Sequence, residues 1–324
     1  MSSDRLIRTA ALLVALFALA ACSPERDESS LFSPQDVDVL VIDAVLMVGQ
    51  PLPSLWLTRT LPPDVPYTLE LAGESGATIV ITGGGVTVPY YYRANTSPGY
   101  YTPDVDGTAP LVLPETQYSL SVVTDRGEEL SAVTWTPARL IVENWQILDP
   151  VTGAYVRDLV SFDEADEDSI YNSPANQLIY AEGIVEAVVP AEAATAFMGS
   201  GYQIAIFSLD WNSDYVIDPP FLDDEDLADL PRSISSPVIN GEGGSLRLPW
   251  ISIYYEGRHK YKTYVIDLNW YDLLRSSGLQ SGGPGAGGSL GDGVERPIFN
   301  VEGGIGLFGS GSVDSVGFRV HPTP

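Results

Sequence analysis

The chain has 324 residues and a formal net charge of −27 at pH 7, with an isoelectric point near 4.1. So acidic a surface repels phosphate backbones, which excludes nucleic-acid binding. Two histidines and one cysteine are too few for a histidine-rich zinc site or an internal disulfide. The acidity fits a cationic ligand, divalent ions or simple solubility, and with only two lysines we favour solubility.

The N-terminal segment has the layout of an export signal. Arg5 and Arg8 precede an apolar or small run over residues 10–21. A membrane-spanning helix needs roughly 20 apolar residues, so this run is too short to be a permanent span. The pattern predicts a signal peptide over residues 1–21, and we expect the rest of the chain to be free of membrane spans.

The single cysteine directly follows this segment. The sequence Leu19-Ala20-Ala21-Cys22 resembles the bacterial lipobox. That resemblance implies cleavage before Cys22, a thioether-linked diacylglycerol on its thiol, and acylation of the freed amine. A thiol is the nucleophile this chemistry requires, and two or three acyl chains anchor a protein firmly. A secreted protein with an incidental cysteine is the alternative.

A tether and a first β-domain follow the cysteine. Residues 22–35 are polar, acidic and punctuated by proline, which predicts a flexible tether. Over residues 36–140, short runs of β-branched and aromatic residues alternate with polar ones between Gly- and Asp-containing turns. This pattern predicts an immunoglobulin-like or transthyretin-like β-sandwich. The strands are predicted at 37–48, 54–60, 77–82, 86–93, 118–124 and 129–135.

Residues 141–324 predict a second β-rich domain with a few short helices. A strand is expected where the domain starts, over 140–147, and further strands are expected at 177–189, 202–209, 246–256, 261–268, 298–302 and 313–320. Acidic, helical or irregular segments are predicted at 163–171, 190–198 and 223–230. A short helix is predicted over 269–278 with Asn269 as its cap. The glycine-rich stretch 278–293 predicts a mobile loop.

Several short motifs match catalytic or cofactor patterns without the context that those patterns need. Two Gly-x-Gly-x-x-Gly runs, at 283–288 and 304–309, lack a preceding strand and a following helix. Ser289 lies in a Gly-x-Ser-x-Gly run, but that device needs a strand-to-helix turn and a histidine base. Acidic pairs are abundant, and no pair stands out as glycosidase carboxylates. We therefore predict no catalytic, cofactor-binding or metal-binding residue.

The stretch 210–218 partly matches a calcium loop. Asp210, Asn212 and Asp214 have the spacing of the first three ligands, but Tyr215 replaces the turn glycine and Phe221 replaces the closing glutamate. A solvated turn is favoured, and a weak calcium site here stays open.

Consecutive aromatic residues raise the question of a binding platform. Tyr90, Tyr91 and Tyr92 must alternate across a strand, so at least one faces solvent. With Tyr100 and Tyr101 they could form a platform for sugars or peptides. Exposed aromatic residues scattered on a sandwich are the more ordinary interpretation.

Several segments together resemble a known family. They include VLVIDAVL, SGATIVIT, TQYSLSVVTDRGEELSA, NWYDLLRS and, most specifically, NVEGGIGLFG over 300–309. The chain resembles domain-of-unknown-function family 4249, bacterial lipoproteins commonly encoded beside TonB-dependent outer-membrane receptors. The resemblance implies a β-rich, lipid-anchored protein at the outer membrane and no defined reaction. The glycines of NVEGGIGLFG themselves predict a tightly packed, kinked strand, or alternatively a ligand cradle.

These features predict a lipid-anchored outer-membrane accessory protein that binds a TonB-dependent receptor or its cargo and catalyses no reaction. The bilayer, contacted through Cys22, and the receptor are the expected partners, and no cofactor is expected. A carbohydrate hydrolase using two carboxylates is the first alternative. It requires a cleft with carboxyl groups about 5–10 Å apart, one of them with a perturbed pKa. A structural scaffold without a small ligand is the second.

Overall fold

The computed structural model describes residues 38–93, 97–190, 199–217, 230–239, 244–276 and 297–323. Within these ranges the molecule is mainly β, with a large sandwich-like sheet and few helices, and this confirms the predicted fold class. No helix in the described ranges has the length and apolar character needed to cross a bilayer.

The strands are β1 Leu40–Met47, β2 Leu55–Arg59, β3 Thr78–Gly83, β4 Val86–Tyr92, β5 Tyr100–Pro103, β6 Gln117–Val123, β7 Glu129–Trp135, β8 Asn144–Leu148, β9 Tyr155–Asp158, β10 Gln177–Ile179, β11 Ile184–Val189, β12 Gly199–Ser208, β13 Ser233–Ser235, β14 Gly244–Leu248, β15 Gly257–Asp267, β16 Val301–Glu302 and β17 Ile305–His321. The helices are α1 Leu69–Ala72, α2 Glu167–Asn172 and α3 Leu268–Ser276.

The N-terminal half forms a sandwich because its strands alternate apolar and polar residues. In β6, Tyr118, Leu120 and Val122 are buried while the residues between them are exposed. β6 pairs antiparallel with β7, which alternates in the same way and buries Leu130 and Ala132. Alternation places one face of each strand in a common core, and the other face remains in solvent.

Strand β17 runs through both halves of the molecule. Its first part, from Ile305 to Gly311, pairs in parallel with β1. Its later part, from Gly311 to Val320, pairs antiparallel with β15. The large sheet therefore has the order β13-β12-β15-β17-β1-β2-β5-β4-β3-β6-β7-β16, with β10 also pairing with β17.

A single C-terminal segment covers both edges of the N-terminal strands. β16 pairs with β7, and two residues later β17 begins its pairing with β1. Phe308 of β17 is fully buried in the N-terminal core. The predicted domain boundary near residue 140 stays a prediction, but residues 301–311 pack within the N-terminal sandwich.

Glycines make this passage between β7 and β1 possible. Gly303 and Gly306 have φ values of +77° and +117°, which L-residues rarely adopt. A Cβ at Gly303 would overlap the carbonyl oxygen of Glu129, and one at Gly306 would overlap that of Ile42. The segment NVEGGIGLFG is thus the tightly packed, kinked strand predicted from its sequence.

The C-terminal half has a second core between two sheets. A four-stranded sheet has the order β14-β11-β8-β9. Its buried residues pack with those of β12, β15 and the later part of β17. Trp145 of β8, for example, meets Tyr261 of β15 edge to face, with ring centroids 5.4 Å apart.

Several element boundaries differ from the predictions. The expected strand 177–189 is two strands, β10 and β11, because the chain turns at Ala181, where φ is +61°. The expected strand 246–256 ends at Leu248 and is followed by a 3₁₀ turn over 250–252. The predicted strands 298–302 and 313–320 are β16 and β17, and β17 extends back through the glycines to Ile305.

The helix predicted over 269–278 is α3, but its cap was assigned to the wrong residue. The backbone N–H of Trp270 donates to Asp267 Oδ1 at 3.0 Å. Asn269 instead donates to the carbonyl oxygens of Val133 and Phe308. The segment 163–171, predicted as helical or irregular, contains most of α2. Of the other two predicted segments, 190–198 and 223–230, all but Pro190 and Leu230 lie outside the described residues.

Candidate functional site

A polar cavity of about 400 Å³ lies where the two halves meet. Gln50, just beyond the end of β1, contributes from the N-terminal half. The start of β8, the segment 158–164 and the middle of β17 supply the rest of the lining. The site therefore exists only because β17 carries the chain from one half into the other.

Carboxylates dominate this cavity. Its acidic residues are Glu143, Asp158, Asp163, Glu164 and Asp314. No basic residue lines the cavity. In the part of the chain that the structure describes, none of these five carboxylates forms a salt bridge.

Three of the carboxylates are held in place by hydrogen bonds. Asn144 Nδ2 donates to Asp158 Oδ1 at 2.8 Å, and the backbone N–H of Ser161 donates to Glu164 Oε2 at 2.8 Å. Asp314 accepts from the backbone N–H groups of Val142 and Ser315, at 2.8 and 2.7 Å, one on each oxygen. These donors are neutral, so they orient the carboxylates without supplying a positive charge.

Asp314 is the half-buried member of the set. Burial raises the pKa of its carboxyl above the usual range, and the negative charge of Asp163 adds to this. The two N–H donors and the charge of Arg139 act in the opposite direction. Since the charge of Asp163 acts unfavourably on ionised Asp314, a cation in the cavity would relieve this repulsion further than Arg139 does.

The residues predicted at the calcium loop are used differently. Arg258 donates to Asp210 Oδ1 through Nε and Nη2, at 2.9 and 2.7 Å, and its backbone N–H donates to Oδ2 at 2.7 Å. Both oxygens of Asp210 are therefore occupied, which argues against calcium coordination here. Among the described residues no acidic, histidine or cysteine cluster suits a metal ion, and Asp218 lies outside them.

The tyrosines do not form one platform. Tyr90 and Tyr101 are buried in the N-terminal core. Tyr91 is exposed, with the Arg93 guanidinium 5.3 Å from its ring centroid, and Tyr100 packs on Trp56. The alternation predicted from the sequence is present, and it divides these side chains between two faces of the sheet.

The remaining predicted positions fall into two groups. Cys22, the glycine-rich stretch 278–293 and Ser289 lie outside the described residues. His259 is buried, stacks on Phe318 and is bonded to the carbonyl of Gly257, and burial lowers its pKa to about 4. His321 is exposed and hydrogen-bonded to Gln177. Neither histidine lines the acidic cavity.

Sequence reasoning did not single out the cavity. Asp163 and Glu164 lie in a run of acidic residues, and the chain contains so many acidic residues that these two did not stand out. Glu143 and Asp314 are far apart in the chain and meet only through the register of β17. The only signal in the sequence was the excess of acidic over basic residues, and it does not indicate where in the fold a site lies.

Comparisons with known proteins add little beyond the fold. No protein-family model and no curated protein matches the chain. Among solved structures, the FN1-FN3 domains of chicken CNTN1 share 8% identity over 72% of this chain, with a TM-score of 0.18. This chain spans 60% of that one.

Two bacterial structures are similarly distant. An ice-binding adhesin shares 10% identity over 90% of this chain and 67% of its own, with a TM-score of 0.20. Escherichia coli alpha-2-macroglobulin activated by porcine elastase shares 10% identity over 86% of this chain and 22% of its own, with a TM-score of 0.19. Similarities this low support no functional inference, and the resemblance to family 4249 stays a prediction.

Proposed function

We propose that the protein is a lipid-anchored accessory protein of the outer membrane whose acidic cavity binds cationic side chains of a protein partner. The observation that carries this proposal is the convergence of five carboxylates without a paired cation on a 400 Å³ cavity. Lysine and arginine are the protein groups that complement such a site. The volume accommodates a few side chains of this size.

The lipid anchor and the partner come from the sequence. The lipobox before Cys22 supports attachment to a bilayer. The resemblance to family 4249 supports an outer-membrane location and a TonB-dependent receptor as the partner. The cavity then provides a defined contact surface for that receptor or its cargo.

Carbodiimide crosslinking in native membranes tests this function, because the reagent joins carboxylates directly to amines. We expect Glu143 or Asp163 to be joined to a lysine of a TonB-dependent receptor. Both side chains are exposed, and in the described part of the chain neither carboxylate forms a salt bridge. The variant Glu143→Gln/Asp163→Asn should lose the crosslink. Repeated recovery of the wild-type protein alone would count against the proposal.

A carbohydrate hydrolase is the second candidate, because the cavity unites several carboxylates and one of them has a raised pKa. Against this, both oxygens of Asp314 accept backbone N–H groups, which favours the ionised form over a proton donor. Hydrolysis of chromogenic glycosides that disappears in Asp314→Asn would establish this candidate. Absence of hydrolysis by the folded wild type would remove it.

A further inference from the structure

An exposed apolar loop lies at the end of the sandwich where the described chain begins. Residues 61–71, named loop 61–71 here, follow β2 after Thr60 and end within the short helix α1, and most of their side chains are exposed. Tyr67 and Leu71 are 63% and 60% exposed. Scattered exposed apolar residues are common, so what distinguishes these two is the position of their loop.

The first described residues pack against the base of this loop. The backbone N–H of Asp38 donates to the carbonyl of Thr60 at 3.1 Å, and that of Thr60 donates to the carbonyl of Val39 at 3.0 Å. The backbone N–H of Val39 also donates to Thr60 Oγ1. Leu61 comes next in the chain, so the N-terminal segment and the loop leave the sandwich at one point.

The chain between this point and the lipidation site is short. Only residues 23–37 separate Cys22 from Asp38. For the flexible tether predicted from the sequence, the r.m.s. end-to-end distance is about 20 Å. Loop 61–71 is therefore an exposed apolar surface close to the point where the acyl chains are tethered. The acidic cavity is at the opposite end of β1, about 25 Å further away at about 3.3 Å per residue of strand.

The backbone of the loop is suited to a medium that lacks water. Pro62, Pro63 and Pro66 have no N–H group to desolvate. The N–H of Val65 donates to the carbonyl of Pro62 at 3.0 Å, and that of Ala72 donates to the carbonyl of Thr68 at 2.9 Å. A backbone N–H group without a hydrogen-bond partner is costly near hydrocarbon. In this segment, several positions either have no N–H group or donate it to a nearby carbonyl.

We propose that loop 61–71 rests in the headgroup region of the bilayer, with Leu71 directed to the acyl chains and Tyr67 at the interface. Tyrosine favours this interface because its ring is apolar and its hydroxyl is polar. Asp64 and Glu70 belong to the same loop and disfavour anionic lipids, so the lipid surface is zwitterionic. This inference rests on the proposed lipidation of Cys22. It orients the body with its acidic cavity away from the membrane.

Spin labelling can locate the loop. Cys22 is the only cysteine, and lipidation blocks its thiol, so Leu71→Cys supplies the one free thiol in the mature lipidated protein. In phosphatidylcholine vesicles, a label there should be relaxed more by oxygen than by a water-soluble nickel chelate. Val151→Cys is the matched control, because Val151 is 90% exposed in the C-terminal half and its label should favour the nickel chelate.

The outcomes separate this inference from the proposed function. Replacing a third of the lipid with phosphatidylglycerol should lower the oxygen preference at residue 71. If the labels at residues 71 and 151 are equally exposed to water on vesicles that carry the protein, the inference is wrong. A loop that binds a protein partner instead of lipid would give this result. A bare Cys22 thiol on protein that stays in the supernatant would overturn the anchor as well. Tyr67→Cys provides a second site should Leu71→Cys misfold.

Discussion

Acidic side chains near the start of β1 form ion pairs, whereas the described part of the chain shows none for the cavity carboxylates beyond its end. At its start, the buried Arg59 guanidinium binds Asp38, Glu74 and Glu128, and Arg126 also binds Asp38. Beyond its end, the cavity carboxylates have no paired cation in the described part of the chain. The Arg59 cluster pairs its carboxylates internally. Charges left unpaired at one place are therefore the better candidates for binding a partner.

The largest expected effect comes from breaking the strand that connects these two regions. Gly306→Ala places a Cβ against the carbonyl oxygen of Ile42 at a φ of +117°. We expect it to lower the free energy of unfolding by about 4 kcal/mol or more, since a backbone clash adds to dihedral strain. Urea denaturation followed by circular dichroism measures the change.

Gly244→Ala is the matched control for that substitution. Its φ is +101°, but a Cβ there would have no heavy atom of the described residues within 4 Å. We expect a loss of only about 1–2 kcal/mol from dihedral strain alone. Equal losses in the two variants would mean that the close approach of β17 to β1 is not what requires glycine.

The paired region can be tested by removing its central cation. Arg59→Met leaves the buried carboxylate of Glu74 without its guanidinium, and we expect a loss of about 3 kcal/mol. Arg275→Met removes a surface pair with Asp272 and should cost about 0.5 kcal/mol or less. If the two variants lose the same stability, the Arg59 cluster is not the structural element described above.

Asp267 is a third kind of carboxylate, which is buried and hydrogen-bonded to neutral donors. Asp267 is buried beside Thr134 and the N–H of Trp270, without a cation, and burial raises its pKa to about 6. Between pH 4 and 6 the unfolded chain ionises while the folded chain keeps its proton. The contribution of Asp267 to the free energy of unfolding is therefore fully present below pH 4. About 2–3 kcal/mol of it is lost as the pH rises to 6.

Asp267→Asn should remove this part of the pH dependence. The amide cannot ionise, so the free energy of unfolding should change less between pH 4 and 6 than in the wild type. An unchanged slope in Asp267→Asn would show that Asp267 does not titrate as described.

The sequence predicted the local structure of the N-terminal half better than the long-range arrangement. Strands such as β6 and β7 alternate clearly and join through a short glycine turn, so their residues alone predict the hairpin. The pairing of β1 with β17 joins residues more than 250 positions apart, and no local pattern encodes it. The glycines of NVEGGIGLFG predicted a kinked, tightly packed strand, but they did not predict that it passes between β7 and β1.

The same limit applies to the candidate site. Asp163 was noticed within an acidic run, whereas Asp314 had no distinguishing neighbour in sequence. Asn269 was predicted as a helix cap on its residue type, but Asp267 occupies that role because β15 ends there. In each case a residue's function depends on which distant strand lies beside it.

Isothermal titration calorimetry with a tetra-lysine peptide tests the cavity most directly. We expect saturable binding with one peptide per protein that is lost at about 1 M salt, where screening acts over about 3 Å. Glu143→Gln/Asp163→Asn should weaken this binding about tenfold, while Asp64→Asn/Glu70→Gln, with the same change in net charge, should leave it unaltered. Equal weakening by both variants would show that the peptide only senses the overall negative charge, and would contradict a specific site.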